Sequence, residues 1–190
     1  MTRARVAAAA VTLALTAGGI GLTAASATAS SSGCTGATGA LAGSCSDEVT
    51  ASGVGWAVHR GLARPGTAIV AVADAAGVTD GSTDFYAQNT NGNASERTFE
   101  YAPGGRESGL CMSSQAWFTS GLVLQHCNGS ASQQFYGIGD TQDDTASTNG
   151  GIQWLNVASG KVVVVSGKSV VMRGLDAAAS TSGSYFHWAS

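Results

Sequence analysis

One stretch of sequence decides the fold, and it reads Gly109-Leu110-Cys111-Met112-Ser113-Ser114, then Leu122-Val123-Leu124-Gln125-His126-Cys127-Asn128-Gly129-Ser130, then Gln133-Gln134-Phe135. It contains two short apolar segments, each with one cysteine, and it closes on an aromatic residue. Gly, Ser and Asn residues between and after the segments favour turns. Neither segment shows sustained 3.6-residue periodicity, so the stretch predicts short β-strands joined by turns.

The composition of the whole chain favours an all-β class. Charged residues make up 11% of the 190 residues and apolar residues 44%, which is too apolar for a disordered chain. Lys, Glu and Leu are too scarce for a helical bundle or a coiled coil. The 27 Gly and two Pro residues, together with abundant Ser, Thr and Val, are typical of short strands and turns.

A three-fold repeat of about 50 residues surrounds the quoted stretch. Segments 66–71 and 167–172 align without a gap at an offset of 101 residues. Three aromatic residues close the units at spacings of 50 and 51 residues, namely Phe85, Phe135 and Phe186. Each unit carries an aromatic-bearing strand upstream of its closing residue, at 55–58, 98–101 and 151–154. Three such units would share one core near a pseudo-three-fold axis.

The quoted stretch resembles one repeat of the ricin-B-type β-trefoil lectins. In that family a G-x-C-L-type strand is joined by a disulfide to a second cysteine, and a Q-x-W motif ends the repeat. Here Gln133 and Phe135 occupy the motif, with phenylalanine at the tryptophan position. The resemblance implies a β-trefoil over residues 54–190. It also implies that the disulfide staples two strands, the Gln binds turn backbone and the aromatic residue fills the shared core.

The galactose pocket of that family uses an Asp two residues after the first cysteine, an aromatic residue two before the second, and an Asn just before the Q-x-W motif. The matching positions here hold Ser113, Gln125 and Ser132. The charged acceptor for two sugar hydroxyls and the stacking ring are therefore missing. Because exposed aromatic residues beside amides are common sugar contacts, the candidate ligand-binding residues are Ser113, Trp117, Gln125, His126 and Asn128. The alternative role for Trp117 is packing within its loop.

The first 29 residues have the parts of a secretory signal peptide. Arg3 and Arg5 give a basic start, an Ala-rich apolar run spans 6–22, and A-x-A sites end at Ala27 and Ala29. We expect cleavage after Ala29, with Ala27 as the alternative, and a secreted, extracellular protein rather than a retained membrane anchor.

The remaining chain divides into a tether and one domain. Residues 30–53 are mostly Ser, Gly, Ala and Thr, whereas large residues recur throughout 54–190. In an exported chain the four cysteines indicate two disulfides, and proximity among the three possible pairings favours Cys34–Cys45 and Cys111–Cys127. No Cys-x-x-Cys spacing occurs and the three His residues are far apart, so no metal site is predicted.

Charge argues against two classes of partner. Loss of Arg3 and Arg5 with the leader leaves seven basic residues against twelve acidic ones, a net charge of −5. Such a domain lacks the electrostatic footprint of a nucleic-acid binder. It would also not adhere to an anionic membrane by charge alone.

No catalytic constellation stands out. The sequence has no Gly-x-Ser-x-Gly elbow, and the acidic run at 140–144 lacks the spacing of an EF-hand. Acids for glycoside hydrolysis are scattered, and Glu100 is expected to point outward on a strand. We therefore predict a protein that is not an enzyme and needs no cofactor. The first hypothesis is a secreted carbohydrate-binding module with a non-standard sugar site, and the alternative is a secreted protein-binding module or inhibitor on the same scaffold.

Overall fold

The computed structural model describes residues 45–46, 48–50, 52–90, 93–115, 120–138, 151–175 and 182–188. Within them lie thirteen strands: β1 (Cys45–Ser46), β2 (Glu48–Thr50), β3 (Gly55–Val58), β4 (Ile69–Val72), β5 (Phe85–Thr90), β6 (Asn93–Tyr101), β7 (Leu110–Ser114), β8 (Leu122–His126), β9 (Phe135–Ile138), β10 (Gln153–Asn156), β11 (Val162–Ser166), β12 (Ser169–Arg173) and β13 (Phe186–Trp188). Short 3₁₀ turns separate several of them. No helix among these residues is long and apolar enough to cross a bilayer. The predicted signal peptide lies outside the described residues.

The β11–β12 hairpin illustrates why these residues form strands. Four consecutive valines begin β11, and β-branched side chains pack well on a pleated surface. In β12 the side chains alternate, so that Val170 and Met172 are buried while Ser169 and Arg173 are exposed. The two-residue turn between the strands begins at Gly167, whose φ of +61° suits glycine.

Strands from all three units close a barrel. Three antiparallel pairs link one unit to the next: β5 with β6, β9 with β10, and β13 with β2. Within units, β1 pairs with β5 and β6 pairs with β9, and a bridge between Ile152 and Phe186 joins the start of β10 to β13. Because the last strand pairs with β2, the ring of strands is closed.

The remaining six strands form three hairpins that cap the barrel: β3–β4, β7–β8 and β11–β12. One strand of each hairpin touches the other two hairpins through single bridges, at Ala68–Val123, Gly121–Val171 and Ser169–Val70. Positions 68 and 169 are thereby equivalent, so the offset of 101 residues between the first and third units holds in space. This arrangement confirms the predicted β-trefoil.

The shared core is aromatic. Phe85, Phe135 and Phe186 each begin the last strand of their unit and are at most 1% exposed. The ring of Phe99 meets that of Trp154 edge to face at 4.9 Å and that of Phe135 at 5.7 Å. Such pairs add about 0.5–1.5 kcal/mol each beyond the burial of their area. The aromatic rings therefore join the units to one another.

Segment 55–58 forms a strand as predicted, but this strand is not equivalent to the aromatic-bearing strands of the other two units. Residues 98–101 lie in the barrel strand β6 and residues 153–154 in the barrel strand β10, whereas Gly55–Val58 is the first strand of a cap hairpin. The hairpin registers make Trp56 equivalent to Met112 and Val163, and all three side chains are fully buried. Its ring lies 4.7 Å from that of Phe186. An aromatic residue in the cap thus fills core space next to the barrel.

The first unit begins upstream of the predicted boundary at Val54. β1 and β2 supply its barrel strand, and Thr50 pairs with Phe186 as Tyr101 pairs with Phe85. Backbone hydrogen bonds, which almost any residue can make, place this strand. Segment 30–53 as a whole is rich in Ser, Gly, Ala and Thr and gives no apolar signal for this strand, so part of the predicted tether belongs to the fold.

The predicted disulfide between Cys111 and Cys127 joins the start of β7 to the residue after β8, with 5.0 Å between the Cα atoms. Replacing both residues by alanine is expected to lower the free energy of unfolding by about 3 kcal/mol, because the bond closes a loop of about 15 residues. Urea denaturation of the oxidised proteins measures this difference. A loss below about 1 kcal/mol would contradict it. Cys34 lies outside the described residues, so the Cys34–Cys45 pairing stays a prediction.

Candidate functional site

Two of the three positions that match the galactose pocket of the lectin family are in contact. Ser113 on β7 is 5% exposed, and its hydroxyl donates to the Ser132 hydroxyl at 3.1 Å. Gln125, the third position, is half-buried on β8. Two hydroxyl groups that bond each other are weaker acceptors for a sugar than a carboxylate. Two of the three matching positions are therefore in contact, but they carry neutral groups.

Gln133 holds the turn that follows β8. Its Oε1 accepts a hydrogen bond from the backbone N–H of Asn128 at 2.9 Å, and its Nε2 donates to the carbonyl oxygen of His126 at 2.8 Å. The side chains of His126 and Asn128 are exposed, and the Asn128 Oδ1 accepts from the Ser130 N–H at 2.9 Å. Trp117 lies outside the described residues, so its place beside these side chains stays a prediction.

Asn156 is a buried polar junction that the sequence does not single out. Its Oδ1 accepts hydrogen bonds from the Ser114 hydroxyl at 2.8 Å and from the Ser159 hydroxyl and N–H at 3.0 and 3.1 Å. Its Nδ2 donates to three carbonyl oxygens of segment 131–134, with 2.9 Å to that of Ser132. Asn156 thus ties the turn carrying Ser132 to β7 and to the third unit. No repeated sequence pattern marks it, because Asn156 stands three residues before Ser159, whereas Gly105 stands three residues before the equivalent Ser108.

A polar cleft runs along the β5–β6 hairpin, beside the Cys111–Cys127 disulfide. Its inner part has a volume of about 310 Å³, and it adjoins a wider opening of about 550 Å³ that shares the lining residues Gln88 and Asn89. Side chains directly opposite each other on paired strands share a face, which places Tyr86 beside Glu100 and Gln88 beside Thr98. We call this feature the hairpin cleft.

Glu100 is the buried carboxylate of the hairpin cleft. It is 6% exposed, and its Oε2 accepts a hydrogen bond from Gln88 Nε2 at 2.8 Å. Its Oε1 accepts from the backbone N–H of Gly109 at 2.9 Å, in a turn where the φ of +68° favours glycine. Glu100 lies on the outer face as expected, but it is covered rather than solvated. The sequence missed this because the covering groups come from another strand and from a turn.

A second buried carboxylate, Asp84, lies just before β5. Its Oδ2 accepts a hydrogen bond from the Gly104 N–H at 2.8 Å. Burial raises the pKa of Asp84 above its ordinary value of 3.8, the Gly104 N–H opposes this shift, and the charge of Asp80 adds to it. Burial, with the charges of Asp84 and Asp80, also raises the pKa of Tyr101 to about 12, so its hydroxyl remains a neutral donor to the Gly61 carbonyl at 3.4 Å.

An Asp84→Asn variant is expected to show a weaker dependence of stability on pH. The raised pKa of Asp84 means that the folded state holds the proton more tightly than the unfolded state. Stability is therefore lost as the pH rises above 3.8 through the folded-state pKa. Asparagine keeps an acceptor for the Gly104 N–H without the charge, so it should unfold at an equal or higher urea concentration at pH 7. Urea midpoints from pH 3.5 to 7 test this, and an unchanged pH profile would contradict it.

Metal binding finds no support among the described residues, because no group of three or more His, Cys, Asp and Glu side chains there is placed to hold an ion. The acidic run at 140–144 lies outside them.

No protein-family model and no curated protein matches the chain. Its structure is similar to the designed three-fold symmetric protein ThreeFoil, with 12% identity, coverage of 77% of this chain and 99% of that one, and a TM-score of 0.60. The Haemophilus ducreyi cytolethal distending toxin is similar at 14% identity, 77% and 83% coverage, and a TM-score of 0.57. The Polyporus squamosus lectin, bound to a human-type influenza-binding epitope, is similar at 12% identity, 76% and 48% coverage, and a TM-score of 0.55. These likenesses confirm the β-trefoil fold.

Proposed function

We propose that the protein is a secreted, non-catalytic carbohydrate-binding module whose site differs from the usual galactose pocket. The observation that carries this proposal is the β-trefoil fold, in which Ser113 and Ser132 of the middle unit stand at positions of the lectin family's sugar pocket but carry neutral groups. A scaffold of the same fold binds a saccharide epitope in the Polyporus squamosus lectin. The leader-like composition of residues 1–29 supports export.

The buried carboxylates favour binding over catalysis. Asp84 and Glu100 each accept a hydrogen bond from a backbone N–H group, of Gly104 and Gly109 respectively. Such bonds fix a carboxylate as an acceptor and hold its turn in place. A general acid and base would instead face one reacting bond from two sides.

A glycan array tests this function on the full oxidised chain. We expect saturable binding to at least one class of glycan, and a Trp117→Ala variant shows whether the loop of Trp117 contributes. Circular dichroism must show the β-rich spectrum for both proteins. If the folded protein binds no glycan on the array, the proposal is overturned. Affinity capture of an extracellular protein would then support the alternative, a protein-binding module.

A further inference from the structure

We propose that the hairpin cleft is the sugar site and that it takes a neutral hexose, alone or at the end of a short oligosaccharide. The inference rests on the proposed carbohydrate-binding function and names where that function resides. In this site Glu100 and Gln88 hydrogen-bond the sugar hydroxyls, and the ring of Tyr86 packs against the apolar face of the sugar. None of the three galactose-pocket positions, Ser113, Gln125 and Ser132, lines the cleft.

The acceptor of this site is already fixed in position. The Glu100 carboxylate is held by Gln88 Nε2 at 2.8 Å and by the Gly109 N–H at 2.9 Å, and it lines the cleft although it is 6% exposed. Each carboxylate oxygen can accept a second hydrogen bond, so two neighbouring hydroxyls can donate to it. Because the group is held before the ligand arrives, binding orders few side chains.

The ring and the amides complete the same chemistry. Tyr86 is directly opposite Glu100 on the paired strands, so the two side chains share a face, and Tyr86 is half-buried. The ring lines the wider part of the cleft and the Glu100 carboxylate lines the inner part, so a sugar that spans the two parts meets both an apolar platform and the acceptor. Gln88 and Asn89 line both parts of the cleft and supply amide donors and acceptors. The cleft thus holds the acceptor and the ring that the galactose-pocket positions lack.

Size and charge restrict the ligand. The inner volume of about 310 Å³ lies at the lower end of the range of about 300–1,000 Å³ for small-molecule sites. Arg97 and Glu107 both line the wider part and carry opposite charges. With Glu100 inside, the cleft does not favour an anionic sugar, so the best match is a neutral hexose.

Titration calorimetry with galactose, glucose, mannose and lactose, on the full oxidised chain and on variants, tests the site. Tyr86→Ala is expected to weaken the binding of the responding sugar about tenfold, whereas Tyr86→Phe keeps the ring and stays within about threefold. Glu100→Gln keeps an acceptor for the Gly109 N–H and is also expected to lose about tenfold. Tyr136→Ala is the matched control, because Tyr136 is an exposed tyrosine opposite Glu96 on paired strands that does not line the cleft.

The outcomes separate the site from the function. Loss in Tyr86→Ala and Glu100→Gln with parental binding in Tyr136→Ala supports the hairpin cleft, provided all variants keep the parental unfolding midpoint. Binding that survives both cleft substitutions but is lost in Trp117→Ala or Ser113→Ala overturns the cleft and leaves the carbohydrate-binding function intact. Absence of binding to every sugar here and on the glycan array overturns both.

Discussion

An Asn156→Asp variant is expected to lose about 3–5 kcal/mol of unfolding free energy at pH 7. The change is almost isosteric, so packing around the fully buried side chain is preserved. The amide nitrogen, however, becomes a carboxylate oxygen facing three carbonyl oxygens of segment 131–134, with that of Ser132 at 2.9 Å. Burial next to these acceptors opposes the charge. The new carboxyl therefore stays protonated to a higher pH when folded than when unfolded.

The predicted loss for Asn156→Asp depends on pH. A group whose folded-state pKa is raised stabilises the fold below its unfolded value and loses that contribution as the pH rises, so the variant should approach the parent at pH 4. Urea denaturation at pH 4, 5 and 7 measures this. Asn128→Asp makes the same chemical change at an exposed position and should stay within about 0.5 kcal/mol of the parent. Equal losses at all three pH values would show that charge is not the cause.

A Trp56→Ala variant is expected to lose about 3–5 kcal/mol, because it empties a large space where the cap meets the barrel. The Trp56 ring is fully buried, and its centroid lies 4.7, 5.5 and 6.4 Å from those of Phe186, Phe99 and Phe85. These rings come from all three units, so the cavity weakens each of their junctions. Residual stability measured by chemical denaturation gives the size of the effect.

Two comparisons calibrate the Trp56 prediction. Val163→Ala removes fewer atoms at an equivalent buried position and should cost less, whereas Tyr136→Ala removes a ring that is 42% exposed and should cost about 1 kcal/mol or less. If Trp56→Ala were no more damaging than Tyr136→Ala, the cap tryptophan would not be part of the shared core.

The middle unit could be predicted well because its signals are local. Cys111, Cys127 and Phe135 each act at a fixed spacing within one repeat, and the closing phenylalanines repeat at intervals of about 50 residues. The first unit was harder, because its barrel strands β1 and β2 have no apolar pattern. The aromatic Trp56 also makes segment 55–58 resemble the barrel strands at 98–101 and 151–154. The resemblance is false, because a large buried residue can enter the core from the cap as well as from the barrel.

The proposed site shows why chemistry was harder to predict than fold. Tyr86 lies in the last strand of the first unit and Glu100 in the first strand of the second, so the hairpin cleft belongs to neither repeat alone. Its side chains meet only because the register pairs positions 86 and 100, and a sequence read unit by unit contains no register. The polar junction at Asn156 could not be predicted for the same reason, because its hydrogen-bond partners come from two units.

The pairing of β13 with β2 has a further consequence. The same kind of antiparallel pairing joins the first unit to the second and the second to the third. In those two junctions the paired strands follow each other in the chain, whereas β13 and β2 do not. The same closed ring of strands could therefore be formed by a chain that starts with any one of the three units. A short linker across this junction, with a cut at either of the other two, would give a circularly permuted chain for the same barrel.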